Sequence, residues 1–127
     1  MRLSTATKNA RLQAIATSID ASGGGTLTLY TGTAPATTDD PVTDQVALAQ
    51  LVCPMPIADT ITDGAMALAQ ITEVMALADG TAVWGRFTDG ANNPVADLEV
   101  GVHIAMPTPD LVAGMTVRID TAVITEP

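Results

Sequence analysis

Aromatic side chains are nearly missing from this chain: Tyr30, Trp84 and Phe87 are the only three in 127 residues. Each buried ring would contribute roughly 150–250 Å², so a core made without them must come from Ala, Val, Leu, Ile and Met. Hydrophobic residues still make up 47% of the chain, which excludes wholesale disorder. A core this light argues mildly for additional burial where subunits meet. Cysteine is reduced to Cys53, so no internal disulfide can form. Its apolar flanks, Leu51-Val52 and Pro54-Met55, predict a buried, inert thiol. Histidine is also single. His103 lies between Val102 and Ile104 in a predicted strand, the setting of a structural residue and not of a titrating switch. Without a second His or Cys, a zinc site would have to be rich in carboxylates, which is uncommon. Ser4, Ser18 and Ser22 are the only serines, all in or beside the N-terminal segment and far in sequence from His103. A nucleophile, base and orienting group are therefore not assembled by any spacing in the chain. We expect no enzyme activity, no metal and no cofactor.

Positive charge is scarce beyond the first segment. Up to Asp20 there are three basic residues (Arg2, Lys8, Arg11) against one acidic; from Ala21 onward Arg86 and Arg118 face 13 carboxylates. The net charge is −9 and the pI near 4.1. A body of that sign repels phosphate backbones, so nucleic acid is not an expected partner. The positive head could dock on an acidic partner, or simply keep a helix soluble. Long apolar runs are absent too. No window approaches ~18 uninterrupted apolar residues, so no membrane span is expected. Met1-Arg2-Leu3-Ser4-Thr5 leads into polar residues and not an apolar signal, which predicts synthesis in the cytoplasm.

What is present reads as one helix followed by strands. Ser4 is a candidate N-cap, and Leu12, Ile15 and Ile19, with Ala16 beside them, form a narrow apolar stripe at helical spacing. The predicted helix runs from about Thr5 to Ser18. It stops before Gly23-Gly24-Gly25, where each glycine would cost a helix ~1 kcal/mol. These glycines either turn the chain sharply or let the helix swing; no phosphate-loop context surrounds them. The expected division is residues 1–22 as helix and hinge and residues 23–127 as a single β-sandwich domain. Thr26 to Thr31 alternates as a half-buried strand, followed by a turn-rich loop from Gly32 to Pro41. Gln45 to Cys53 suits a strand buried on both faces, and Pro54 and Pro56 either end it or place the region at a sheet edge. Thr60 to Gly64 reads as strand end and turn. Residues 64–79 fit either a helix or a strand with an irregular link, and the spacing of neighbouring elements favours the second. Gly80 to Thr88 alternates, with Val83 and Phe87 on one face and Ala82, Trp84 and Arg86 on the other. Asp89 to Pro94 has hairpin composition. Val95 to Met106 returns as a strand, Pro107 to Asp110 forms a loop, and Gly114 to Glu126 is the last strand, with a bulge near Asp120 to Ala122 or a change of which face is covered. The sum is a mainly β fold: an antiparallel β-sandwich of about seven strands with one N-terminal α-helix.

Candidate sites are few. Asp39, Asp40 and Asp44 cluster in one loop, without the spacing of a helix–loop–helix calcium site, and read as a solvated acidic loop. Asp97 and Glu99 share a strand face, but no aromatic platform for a sugar is near. Trp84 with Arg86 and Phe87 is either a recognition hot spot or a core residue with its neighbours. The candidate contact residues are Leu3, Lys8, Arg11, Leu12, Ile15 and Ile19 from the opening segment, with Trp84 and Arg86 from the body.

The opening Arg2-Leu3-Ser4-Thr5-Ala6-Thr7-Lys8-Asn9-Ala10-Arg11-Leu12 and the run Gly25-Thr26-Leu27-Thr28-Leu29-Tyr30-Thr31-Gly32-Thr33-Ala34-Pro35-Ala36 resemble a family of small proteins of tailed bacteriophages and prophages. Gly80 to Gly90 and the ending Ile124-Thr125-Glu126-Pro127 continue the resemblance. Residues 32–80 match most loosely. These are signature segments and not chemical motifs. The resemblance implies a virion structural protein, present in many copies and bound to other virion proteins (major capsid, neck or tail subunits), with an accessory capsid-decoration role expected first and a neck, tail or baseplate role as the alternative. A host-receptor or glycan-binding module of adhesin type is the expectation from another class.

Overall fold

The computed structural model describes residues 2–125. They form a mainly β fold with one N-terminal helix: two four-stranded antiparallel sheets, two short two-stranded ribbons and α1, Thr5–Asp20. The Ser4 side chain caps the helix by accepting from the Thr7 N–H at 3.2 Å, as its position predicts. The helix extends two residues beyond the expected end and tightens into a 3-10 turn at Ala21–Gly23. Leu12, Ala16 and Ile19 are buried, and α1 packs on one edge strand of the first sheet and on two strands of the second. Burying a Leu or Ile is worth about 1.5–3 kcal/mol, several times the spread of helix propensity per residue. Tertiary packing therefore holds this helix.

The first sheet has the order β2-β1-β7-β8, with β1 at Thr26–Tyr30, β2 at Ala47–Val52, β7 at Trp84–Thr88 and β8 at Pro94–Glu99. The second has the order β3-β4-β12-β9, with β3 at Ala58–Thr62, β4 at Ala65–Leu68, β12 at Thr121–Thr125 and β9 at Ile104–Ala105. The ribbons pair β5 (Val74–Met75) with β11 (Thr116–Val117), and β6 (Gly80–Thr81) with β10 (Asp110–Leu111). Leu27, Leu29, Leu51, Phe87 and Leu98 from the first sheet, Met66, Ile104 and Ala122 from the second, and the helix stripe belong to one apolar cluster. As composition requires, Phe87 is its only ring.

Several expectations need correction. The count is twelve strands and not about seven: three predicted long strands are broken, residues 64–79 supply two strands, and Asp110–Leu111 forms a strand at the end of an expected loop. Residues 95–106 divide into β8 and β9, with a turn between them that carries the chain from one sheet to the other; His103 lies in that turn and not in a strand. Residues 80–88 break at Ala82 and Val83, so Ala82 joins the core while Val83 is exposed, away from the face of Phe87. Residues 114–126 break at 118–120, close to the expected bulge, and Glu126 lies outside the described residues. The two-residue hairpin turn is made by Asp63 and Gly64, both at positive φ, as a type I′ turn requires. The Asp89 loop is longer: the Asp89 carboxylate accepts the Ala91 and Asn93 N–H groups at 2.9 Å each. Residues 64–79 form β4, a link and β5 with no helix, which resolves the two readings in favour of strand. β2 is not buried on both faces, since Gln50 and Val52 are exposed.

Candidate interaction surfaces

The helix, which the glycines could either have turned sharply or left to swing, is fastened to the body through Asn9 and Asp20. The Asn9 Oδ1 accepts the Gly64 N–H at 2.9 Å, and the Asp20 carboxylate accepts the Ile57 N–H at 3.0 Å. Helix and β3 thus run antiparallel, with a side-chain acceptor satisfying a main-chain donor just beyond each end of β3. The glycine stretch is a packed turn and not a swivel. Ser22 sits at φ 59°, Ala21 O accepts from Gly90 N at 2.9 Å, and a Cβ on Gly25 would run into Thr88 O and into Ile19. Of the eight predicted contact residues, Leu12 and Ile19 are spent in the core, Trp84 and Arg86 are buried, Leu3, Lys8 and Ile15 are half-buried, and Arg11 is exposed. Lys8 lays its stem against the Asp63-Gly64 turn, with Cδ 3.1 Å from where a Gly64 Cβ would be. Buried side chains cannot meet an outside partner; the stripe of Leu12 and Ile19 is core because it is apolar on the face the body covers.

Trp84 and Arg86 do lie on one face, as alternation predicts, and it is the face of the first sheet turned away from the core cluster. There Tyr30 stacks on Trp84 with centroids 4.6 Å apart and planes at 20°, and the Arg86 Cζ lies 5.4 Å from the Trp84 centroid, within cation–π range. Arg86 grips Asp97 with two bonds, Nε to Oδ1 at 2.6 Å and Nη2 to Oδ2 at 2.9 Å. Its Nη1 donates to Asp40 O at 2.8 Å, and the Trp84 Nε1 donates to Thr31 O at 3.2 Å. Residues 31–46 are therefore a strap drawn over the sheet by one guanidinium and one indole. Hydrogen bonding to Asp97, the largest influence, holds the Arg86 pKa above its usual value in spite of burial. The hot-spot reading of Trp84 gives way to an internal one: the ring and the cation are already partnered.

The remaining chemistry is equally occupied. The Cys53 thiol is buried and pushed up to about 12, chiefly by desolvation and then by the nearby Asp20, so the expected inert thiol is what the structure contains. The His103 Nδ1 accepts the Glu99 N–H at 3.1 Å, which fixes the turn between β8 and β9. Asp97, once considered with Glu99 as an acid pair, is committed to Arg86. Among the described residues no grouping of three His, Cys, Asp or Glu side chains is placed to hold a metal ion, and no helix is long and apolar enough to cross a membrane. An open cleft of about 310 Å³ lies where β4 and β12 splay, with Asp59 and Asp120 as its ionisable side chains. Another, of about 380 Å³, lies under the strap beside Asp39, Asp40 and Arg86. Neither contains a His, Cys or Ser.

Sequence reasoning missed a different surface. Met75 and Leu77 are exposed beside β2, and Val52 and Met55 are exposed at its far end. The Leu77 N–H donates to Leu48 O at 2.7 Å, so the residues after β5 cover the outer edge of β2 at Leu48, and that edge continues uncovered past Gln50 and Val52. The signal was readable in part: residues 45–58 contain no charged side chain. Which of those residues face outward depended on the register. Compared with protein-family models, curated proteins and solved structures, the chain matches none.

Proposed function

We propose that this protein is a non-enzymatic structural component of a tailed-bacteriophage particle, set on the capsid surface as an accessory protein and held there in many copies by contacts with other virion proteins. The observation that carries the reading is the resemblance of Arg2 to Leu12, Gly25 to Ala36 and Gly80 to Gly90 to small phage proteins. Those segments fall on α1, on β1 with the start of the strap, and on β6 with β7: the helix and the two central strands of the first sheet. Signatures carried by the helix and the central strands suit a protein whose work is to keep a shape and present a surface. A body carrying carboxylates on its loops, with no buried side-chain nitrogen or oxygen among the described residues left without a hydrogen-bond partner, is consistent with that role. The test is quantitative mass spectrometry of purified particles from a host carrying the gene, followed by a cryo-EM map. The expected result is a stoichiometric copy number and density at a symmetric site. Particles that contain none of the protein would overturn the reading.

A further inference from the structure

Sheets expose unpaired N–H and C=O groups at their edges, and folded proteins usually guard them with charge, proline, bulges or a covering element. Three of the longer edge strands can be compared here. β8 carries Asp97 and Glu99, and α1 packs on it. β3 carries Asp59 and a bulge, and α1 covers it as well. β2 carries no charge at all, and its bulge lies at Leu48, short of Gln50 and Val52. Its pairing with β1 sets Leu27 against Leu51 and Leu29 against Ala49, with Cys53 N donating to Gly25 O at 3.0 Å. In an antiparallel ladder the bonded positions alternate, so the N–H and C=O groups of Leu48, Gln50 and Val52 point the other way, outward. Leu48 O is taken by Leu77. Among the described residues nothing takes the groups of Gln50 and Val52. Around this open half-strand lie Val52 at 69% exposure, Met75 at 63%, Leu77 at 60% and Met55 at 57%.

We propose that β2 pairs edge to edge with β2 of a second copy, antiparallel about a two-fold axis at Leu51, joining two four-stranded sheets into one. Charge selects the occupant. Two molecules of net charge −9 repel over most of their surfaces, and the uncharged stretch of residues 45–58 lets them approach without bringing carboxylates together. The geometry is self-complementary, as a two-fold contact requires. With Leu51 opposite its own counterpart, each Gln50 faces the second copy's Val52, and those two outward positions exchange about four main-chain hydrogen bonds. Pro54 lacks an N–H and limits the pairing in that direction, while Leu77 on Leu48 limits it in the other. The exposed Val52 and Met55, with Met75 and Leu77 beside the strand, lose water contact at the rim. The contact is short, below the roughly 1,200 Å² of a standard stable interface, so association belongs in the micromolar range. This inference concerns the isolated chain and does not depend on the virion reading; either can fail while the other stands.

The experiment is sedimentation equilibrium of the full chain over a concentration series reaching about 300 µM, the range a small interface demands, with hydrogen exchange read residue by residue. The expected mass rises from 13.0 kDa toward twice that value, and the Gln50 and Val52 amides slow as it does. Val52→Glu adds a carboxylate from each copy near the axis, at a site open enough to leave folding intact. It should keep the chain monomeric with an unchanged circular dichroism spectrum. Gln50→Pro removes an outward N–H and should do the same; if that variant misfolds, Val52→Glu still decides. A wild-type chain that stays monomeric throughout overturns the proposal, as does a dimer indifferent to Val52→Glu. A monomer whose Gln50 and Val52 amides are protected only by a strand of some other protein overturns the choice of a second copy.

Discussion

Arg86 spends three donors inside the molecule, two on Asp97 and one on Asp40 O, and so ties β7, β8 and the strap together. The side chains of the pair are only 6% and 16% exposed, and removing one member leaves the other charge poorly solvated. Arg86→Met is expected to cost about 2–4 kcal/mol in urea denaturation and to open residues 31–46 to limited proteolysis. Arg86→Lys should rescue little, because an ammonium group cannot reproduce the planar fork. Asp89 supplies the acid-pH prediction. The N–H groups of Asn93 and Ala91 and the Asn93 amide hold its carboxyl below the usual range, the Asn93 main-chain bond most of all. A carboxyl with a lowered folded pKa stabilises fully above its unfolded pKa, and the contribution disappears as pH falls through the folded value. The stability difference between wild type and Asp89→Ala should therefore shrink on acidification; a difference constant with pH would mean the charge contributes nothing. Cys53 should ignore a disulfide exchange reagent in the folded protein at mildly alkaline pH and react fully in urea, since the thiolate is the reactive form and burial withholds it.

The helix shows what one element can and cannot reveal of itself. Its period, its Ser4 cap and its stop before the glycines are all local, and all appear in the structure. Nothing local says that Asn9 and Asp20 would meet Gly64 and Ile57, which lie 55 and 37 residues away. Asn9→Ala and Asp20→Ala should each cost about 1–3 kcal/mol by stranding a main-chain donor, and should lower the melting temperature of the whole chain in a single transition. A separate early transition for the helix would contradict this. The strands divide in the same way. Alternation placed Trp84 and Arg86 together, but predicted no break at Val83 or at the turn between β8 and β9. Those breaks follow from the second sheet and the ribbons, whose partners are distant in sequence. For Trp84 the sequence left a recognition hot spot and a core residue both open; burial supports the second, and nothing local says which strap will cover it.

At the scale of the molecule, α1 shares one apolar core with the sheets. Leu12, Ala16 and Ile19 seal an edge of the cluster that also contains Leu27, Met66 and Phe87. A chain shortened to residues 23–127 should lack near-ultraviolet structure and aggregate, whereas an independent body would keep a cooperative melt. Adding salt should raise the melting temperature of the full chain, because screening relieves the self-repulsion of a net charge of −9. Composition and periodicity by themselves determined the class of this protein: β-rich, acidic, with a light aliphatic core, a capped amphipathic helix and turns at Asp63-Gly64 and Asp89. These are decided by propensity and alternation, which act within a few residues. Only the tertiary structure decided that the helix stripe of Leu12, Ala16 and Ile19 is core, that a strap covers Trp84 and Arg86, and that β2 keeps half an edge uncovered. Each of those depends on register and on contacts between residues far apart in the chain, where a shift of one residue exchanges the inner and outer faces of a strand.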